Sequence, residues 1–379
     1  MKKIINTIVF CCVFLFVNAQ FPVGHTTIVF NDASRDRNIS CELFYPAITS
    51  GEDVVVAEGN FPVVIFGHGF AMNFNNYSSL RAAIIPQGYV LVFVATVGGF
   101  APDHEQVGMD YAFVAGEMLA ENTNTQSLFF GKLNNRTGMM GHSMGGGCSW
   151  LAASGNPDID CLIGLAPAET TTSAISAASG VTAPVLVFSG SSDGVTPPAD
   201  NHIPIFENSQ SDCKVFVNIA EGSHCGYADN QTLCDFGELT FNGLSRESQQ
   251  AAVFPIILYW LNYHLRDEVS QFNEMLIFDE QNNDIEASVE CVLNTTERSF
   301  GDEMLVYPNP VSDVLSYLAD SRDGLYQSYS IEDLQGKTIS TGTCNKNNGV
   351  ISTRALSTGV YFVRFYSGNQ SSVRRFVKI

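Results

Sequence analysis

Ser143 stands in the heptapeptide GHSMGGG, two residues after Gly141 and two before Gly145. A serine at that spacing can sit on a sharp strand-to-helix turn. Such a turn crowds the positions two residues away on either side, and glycine has no Cβ to clash there. The hydroxyl then stands clear, beside the unpaired N–H groups that open the following helix. A serine hydroxyl is a weak nucleophile at neutral pH, so it needs a base within hydrogen-bond reach and a group that orients the base. Two loops offer these groups. PVLVFSGSSDGVTPP reads as a strand leading into a loop with Asp193, and KVFVNIAEGSHCGY as a strand leading into a loop with His224. Attack on a carbonyl also requires two N–H donors for the oxyanion. The N–H of Met144, directly after the serine, is one candidate; the N–H of Phe70, in the loop GHGFAMNF, is the other.

Rival groups have plainer roles. His142 adjoins the serine, but its side chain should point away along the strand; a packed or hydrogen-bonded histidine at the turn is expected, and a place lining the substrate cleft with Phe70 and Thr171 stays open. His68 is expected to brace its loop; His202 follows the acid loop and could line the cleft, with the surface of a helix as its expected place. Asp200 and Asp229 are rival acids, but neither ends an expected strand.

The elements that must position these residues can be read from hydropathy. HTTIVFND and RNISCELFYPA alternate as two antiparallel strands. FPVVIFGHGF and YVLVFVAT are continuous apolar runs, the pattern of strands covered on both faces. NYSSLRAAIIPQG, EQVGMDYAFVAGEMLAEN, MGGGCSWLAAS and SQQAAVFPIILYWLNYHL read as helices, the last interrupted at Pro255. RTGMMGHS, DCLIGLAP, PVLVFSG and KVFVNIA are further strands. The alternation predicts a mostly parallel sheet flanked by helices, an α/β fold. Parallel sheets bind ligands at the carboxyl ends of their strands, where Ser143, Asp193 and His224 all fall. The segment from Ala166 to Pro184 has no room for a lid of several helices, so an open cleft is expected.

The chain has 379 residues and a net charge of -20, which argues against nucleic acid as a partner. Residues 303–379 carry eight Lys and Arg against six Asp and Glu, so the acidic excess lies wholly in residues 1–302. This break in charge marks two modules. Lys2 and Lys3 precede an apolar run from Ile4 to Val17, then VNA, so residues 1–19 are expected to be a cleaved export signal. Residues 20–282 form the α/β unit, 283–302 an irregular linker, and 303–379 a small β-sandwich of short strands between polar turns. Eight cysteines follow the signal, an even count that suits disulfides in an exported chain; Cys225 and Cys234 are the best pair. No metal site is indicated.

GHGF, GHSMGGG, SGSSDGVTPP and GSHCGY, in that order, resemble the α/β-hydrolase superfamily. The likeness, over about residues 25–270, is to the dienelactone-hydrolase, chlorophyllase and cutinase-like branch that includes bacterial polyester hydrolases. It implies a Ser143, Asp193, His224 triad, an oxyanion hole at Phe70 and Met144, cleavage of carboxylic esters through an acyl-enzyme, and no cofactor. One departure stands out. Where polyester hydrolases of this branch carry a tryptophan that clamps an aromatic ester, this chain has LAPAETTTSA, with Glu169 or Thr171 near that place. VYPNPVSDVL, YSIEDLQGK, GVYFVRF and VRRFVKI resemble the C-terminal sorting domain of the Bacteroidetes type IX secretion system, which implies export across the outer membrane through that machinery. A monomer is expected. A non-catalytic surface binding protein on a hydrolase scaffold, and a serine peptidase, are the alternatives.

Overall fold

The computed structural model describes residues 20–95, 101–230, 232–238, 243–282, 284–291, 304–318, 326–333, 336–344, 348–367 and 370–379; the expected export signal lies outside them. Ten strands form one sheet: β1 (Val23–Asp32), β2 (Arg37–Pro46), β3 (Gly51–Glu52), β4 (Phe61–Gly67), β5 (Val90–Val94), β6 (Leu133–His142), β7 (Cys161–Leu165), β8 (Val185–Gly190), β9 (Cys213–Ile219) and β10 (Ile285–Cys291). Their order is β10-β9-β8-β7-β6-β4-β5-β2-β1-β3. From β5 through β9 every pairing is parallel, while β2 and β10 add antiparallel neighbours at either side.

Strands β4 and β5 are apolar because both of their faces are covered. In β4, Val63 and Ile65 belong to one core and Val64 and Phe66 to the other; in β5, Val90, Val92 and Val94 face the first core and Leu91 and Phe93 the second. This period of two divides the helices as well. Helices α2 (His104–Glu121), α3 (Met144–Ala153), α4 (Ala174–Ala178) and α5 (His202–Asn208) contribute Tyr111, Trp150, Ala174 and Ile205 to the first core. On the opposite face α1 (Ser78–Ile84), α7 (Arg246–Arg266) and α8 (Ser270–Gln281) contribute Leu80, Trp260 and Phe272. A short α6 (Thr232–Gly237) lies between β9 and α7 in the chain. Side-chain caps start two of the long helices: Asp103 accepts from the N–H of Gln106, and Ser245 from that of Ser248. Helix α2 is pinned to the β1–β2 hairpin by the buried Asp110, which takes a two-pronged bond from Arg37 and an ion pair from Arg35.

The expected irregular segment after residue 282 is corrected in its first part, since Ile285–Cys291 is strand β10, antiparallel to β9. Its sequence, IEASVEC, hid it. An edge strand needs little apolar surface, and Ile285 alone is buried there. A disulfide joins Cys213 to Cys291 across the two strands, and a second joins Cys225 to Cys234 as expected. The other cysteines after residue 19, Cys41, Cys148, Cys161 and Cys344, are buried free thiols. The tail forms two antiparallel sheets of short strands, one holding Leu305–Tyr307, Val314–Leu318 and Asn348–Ser352 and the other Ser328–Glu332, Thr338–Thr343, Gly359–Ser367 and Gln370–Lys378. Ile331, Val363, Phe365 and Phe376 lie in their common core, consistent with the expected small sandwich.

Candidate active site

Ser143 occupies the single residue between β6 and α3. Its φ is 57° and ψ -126°, a conformation that strains any residue other than glycine. The strand stops there because the chain must reverse into the helix, and the turn is tied by Ser143 N–H to Leu165 O and by Ala168 N–H to Ser143 O. The flanking glycines are obligatory. A Cβ on Gly141 would lie 2.3 Å from Gly145 O, and one on Gly145 would lie 2.2 Å from Gly67 O. That second contact brings the start of α3, with Met144, against the loop after β4 that carries Phe70.

Asp193 follows β8 and His224 follows β9, so both stand at the same rim of the sheet as Ser143. His224 Nε2 lies 2.8 Å from Ser143 Oγ, and His224 Nδ1 lies 2.8 Å from Asp193 Oδ2. All three side chains are buried or nearly so, with Ser143 the most accessible at 9%. The Asp193 carboxylate is held from behind: Oδ1 accepts the N–H of Val195 and of Thr196, and Oδ2 accepts the Thr196 hydroxyl. Burial alone would raise the pKa of Asp193. The His224 hydrogen bond and charge, with the Thr196 N–H and His202, outweigh it and hold the group below its ordinary value.

His142 is corrected as a cleft residue. It is fully buried, with Nε2 3.0 Å from His224 O and Nδ1 2.9 Å from Tyr77 Oη. A carbonyl only accepts, so Nε2 carries the proton and Nδ1 accepts from Tyr77. Tyr77 Oη in turn accepts the N–H of Gly69 at 2.9 Å. The histidine before the serine thus ties the His224 loop to the loop of Phe70. Burial, then the neighbouring His224 ring, push the His142 pKa down to about 3, so it stays neutral.

His202 is corrected too. It is fully buried at the start of α5, with Nδ1 2.8 Å from Ser189 Oγ, Nε2 3.0 Å from Thr196 Oγ1 and Nε2 3.6 Å from Asp193 Oδ2. Tyr77, Thr196 and His202 escaped sequence reasoning as functional residues. Thr196 alone left a local trace, three residues after an aspartate in a turn sequence. His68 Nδ1 donates within its own loop, to Gly69 O, and Asp229 caps the N-terminus of α1 by accepting the Ser78 N–H.

An open groove of about 480 Å³ runs past the serine, lined by Phe70, Pro102, His104, Met144, Glu169 and Thr171 among others. Phe70 is 38% exposed and gives it an aromatic surface. Thr171 lies on its wall, where the Thr171 N–H and hydroxyl both meet His104 Nδ1, at 3.0 and 2.9 Å. Glu169 accepts the N–H of Ile175 and so faces helix α4 in part. Between Ala166 and Pro184 the only helix is the five-residue α4, and the groove stays open. The arrangement can activate a hydroxyl and offer it to a carbonyl at the floor of a shallow cleft.

A family model described as PET hydrolase-like matches residues 33–241, more than half of the chain, and one described as a secretion system C-terminal sorting domain matches residues 305–379. The bis(hydroxyethyl) terephthalate hydrolase of Streptomyces coelicolor is 25% identical over 187 residues, covering 48% of this chain and 54% of that protein. The chain therefore spans about half the length of this curated relative.

Proposed function

We infer the activity from one premise: this chain belongs to the PET hydrolase-like family. It is an exported serine hydrolase of carboxylic esters. His224 takes the proton of Ser143 as the hydroxyl oxygen attacks the ester carbonyl, and Asp193 holds the imidazole in the Nδ1–H tautomer and stabilises its cation. The N–H groups of Met144 and Phe70 receive the oxyanion, worth about 3 kcal/mol of barrier for each donor. The alcohol leaves with the proton from His224. Water, activated by the same imidazole, then attacks the acyl-enzyme and releases the acid. The hydrolase unit runs to Cys291, where the disulfide closes its last strand. The tail, residues 303–379, directs export through the type IX machinery, after a signal in residues 1–19.

The continuous hydrogen-bonded line from Ser143 Oγ through the His224 ring to Asp193 carries this reading. The open groove suits extended or polymer-bound esters, and its wall offers Thr171 and His104 where an aromatic clamp would stand. A fluorophosphonate should label the wild-type protein and not Ser143→Ala. In parallel, hydrolysis of p-nitrophenyl esters should fall by at least about a thousandfold in that variant. Bis(hydroxyethyl) terephthalate and a polyester film belong in the same series. Labelling that survives Ser143→Ala, or a folded wild-type protein that neither labels nor cleaves any ester, would overturn the assignment.

A further inference from the structure

Behind the Asp193 carboxylate lies a buried group of polar side chains that the reaction above does not use. Thr196 Oγ1 is within hydrogen-bond distance of Asp193 Oδ2 (3.0 Å), His202 Nε2 (3.0 Å) and His224 Nδ1 (2.8 Å). His202 Nδ1 is 2.8 Å from Ser189 Oγ. We propose that Thr196 and His202 are positioning residues that fix the Asp193 carboxylate and set the acidity of His224, a role that rests on the serine-hydrolase reading.

The protons can be placed one by one. His224 Nε2 must accept from Ser143, so Nδ1 carries the ring proton and points at Asp193. Thr196 has one hydroxyl proton and two possible acceptors, a carboxylate and a neutral imidazole nitrogen. The charged acceptor makes the stronger bond, so the proton goes to Asp193. His202 then carries its proton on Nε2 and donates it to Thr196 Oγ1, while Nδ1 accepts from Ser189. In this arrangement every one of these buried polar atoms is satisfied. The other tautomer of His202 would draw the threonine proton away and leave the carboxylate with one donor fewer. Burial pushes the His202 pKa down to about 4, which keeps this histidine neutral near neutral pH.

The consequence is electrostatic. A hydroxyl donated to Oδ2 spreads the carboxylate charge and weakens its hold on the His224 imidazolium. Removing that donor strengthens the hold, so the His224 pKa should rise and the acid limb of the pH–rate profile should move up. The other groups around His224 are unchanged by such a variant: the His142 ring at 4.9 Å between centroids, Tyr227 packed on His142, Arg246 on Cys225 O, and Glu238, which accepts the His224 backbone N–H.

The test compares Thr196→Val, Thr196→Ser and His202→Phe in the full chain. Thr196→Val should raise the acid limb by about half a pH unit and lower kcat about tenfold, with KM within about twofold. Thr196→Ser, which keeps the hydroxyl, should restore the wild-type limb. His202→Phe should move the limb the same way by less, and add nothing in the Thr196→Val background, because it acts through the threonine. NMR titration of the His224 ring in the resting protein should show the same shift without turnover. A folded Thr196→Val that titrates like wild type overturns the proposal, as does a His202→Phe effect that adds in full to Thr196→Val. Should wild type fail to cleave esters, the functional reading falls, while the titration still judges the relay.

Discussion

The two sides of the cleft are built differently. On the reacting side, Ser143, Asp193, His224, His142, Thr196 and His202 are buried and joined by hydrogen bonds. On the opposite wall, Phe70 and Thr171 are exposed, and His104 and Glu169 are half-buried. A buried polar group must be matched by a partner or it costs about 1–3 kcal/mol, so each residue on the reacting side constrains its neighbours. The wall faces water, which can satisfy its groups in many arrangements. On the proposed function, the chemistry is therefore tightly specified by the fold, and substrate choice falls to the less constrained residues of the wall.

Three variations would break or sharpen this contrast. The largest effect is expected from Gly145→Ala, whose new Cβ would lie 2.2 Å from Gly67 O and force the start of α3 away from the loop of Phe70. Loss of a correctly placed oxyanion donor should lower kcat at least about a hundredfold, measured on a soluble ester with the folded variant. Near-wild-type turnover would mean that the two backbone segments need not touch.

Acid comes next. His142 and His202 are buried with pKa values pushed down to about 3 and about 4. The unfolded chain takes up protons on both as pH falls through about 6.5, the folded one does not, and stability is lost from there downward. It is fully present above that point, and the loss continues until the folded values are reached. The expected loss between pH 7 and 5 is roughly 2 kcal/mol for each histidine, read from denaturant unfolding at the two pH values. A flat profile would show that these rings are protonated inside the fold.

The smallest effect should come from the wall. Thr171→Ala removes the hydroxyl bond to His104, keeps the backbone one, and trims the groove wall, yet kcat on a small p-nitrophenyl ester should stay within about threefold, with any larger change confined to KM for bulky esters. A collapse of kcat on the small ester would place Thr171 on the reacting side.

Much of this design is written locally. The apolar runs of β4, β5 and β8 and the alternating run of β9 read as strands from the sequence alone, and the GHSMGGG turn specifies its own strain and its own clearance. The loops of Asp193 and His224 could be found because each follows such a strand. Strand β10 could not, since an edge strand with polar residues gives no apolar run, and its disulfide partner lies 78 residues away. The partners of His142 and His202 were equally hidden, and Tyr77 gave no signal at all.

Residue type and spacing by themselves determined the parallel sheet, the strained serine and the short list of groups able to serve it, because those depend on sterics and hydropathy within a few residues. Only the tertiary structure decided which histidine faces the serine, which one braces the loop of Phe70 and which one stands behind the carboxylate. The three share one chemistry, and what separates them is the partner each meets, set by chain crossings of up to 82 residues.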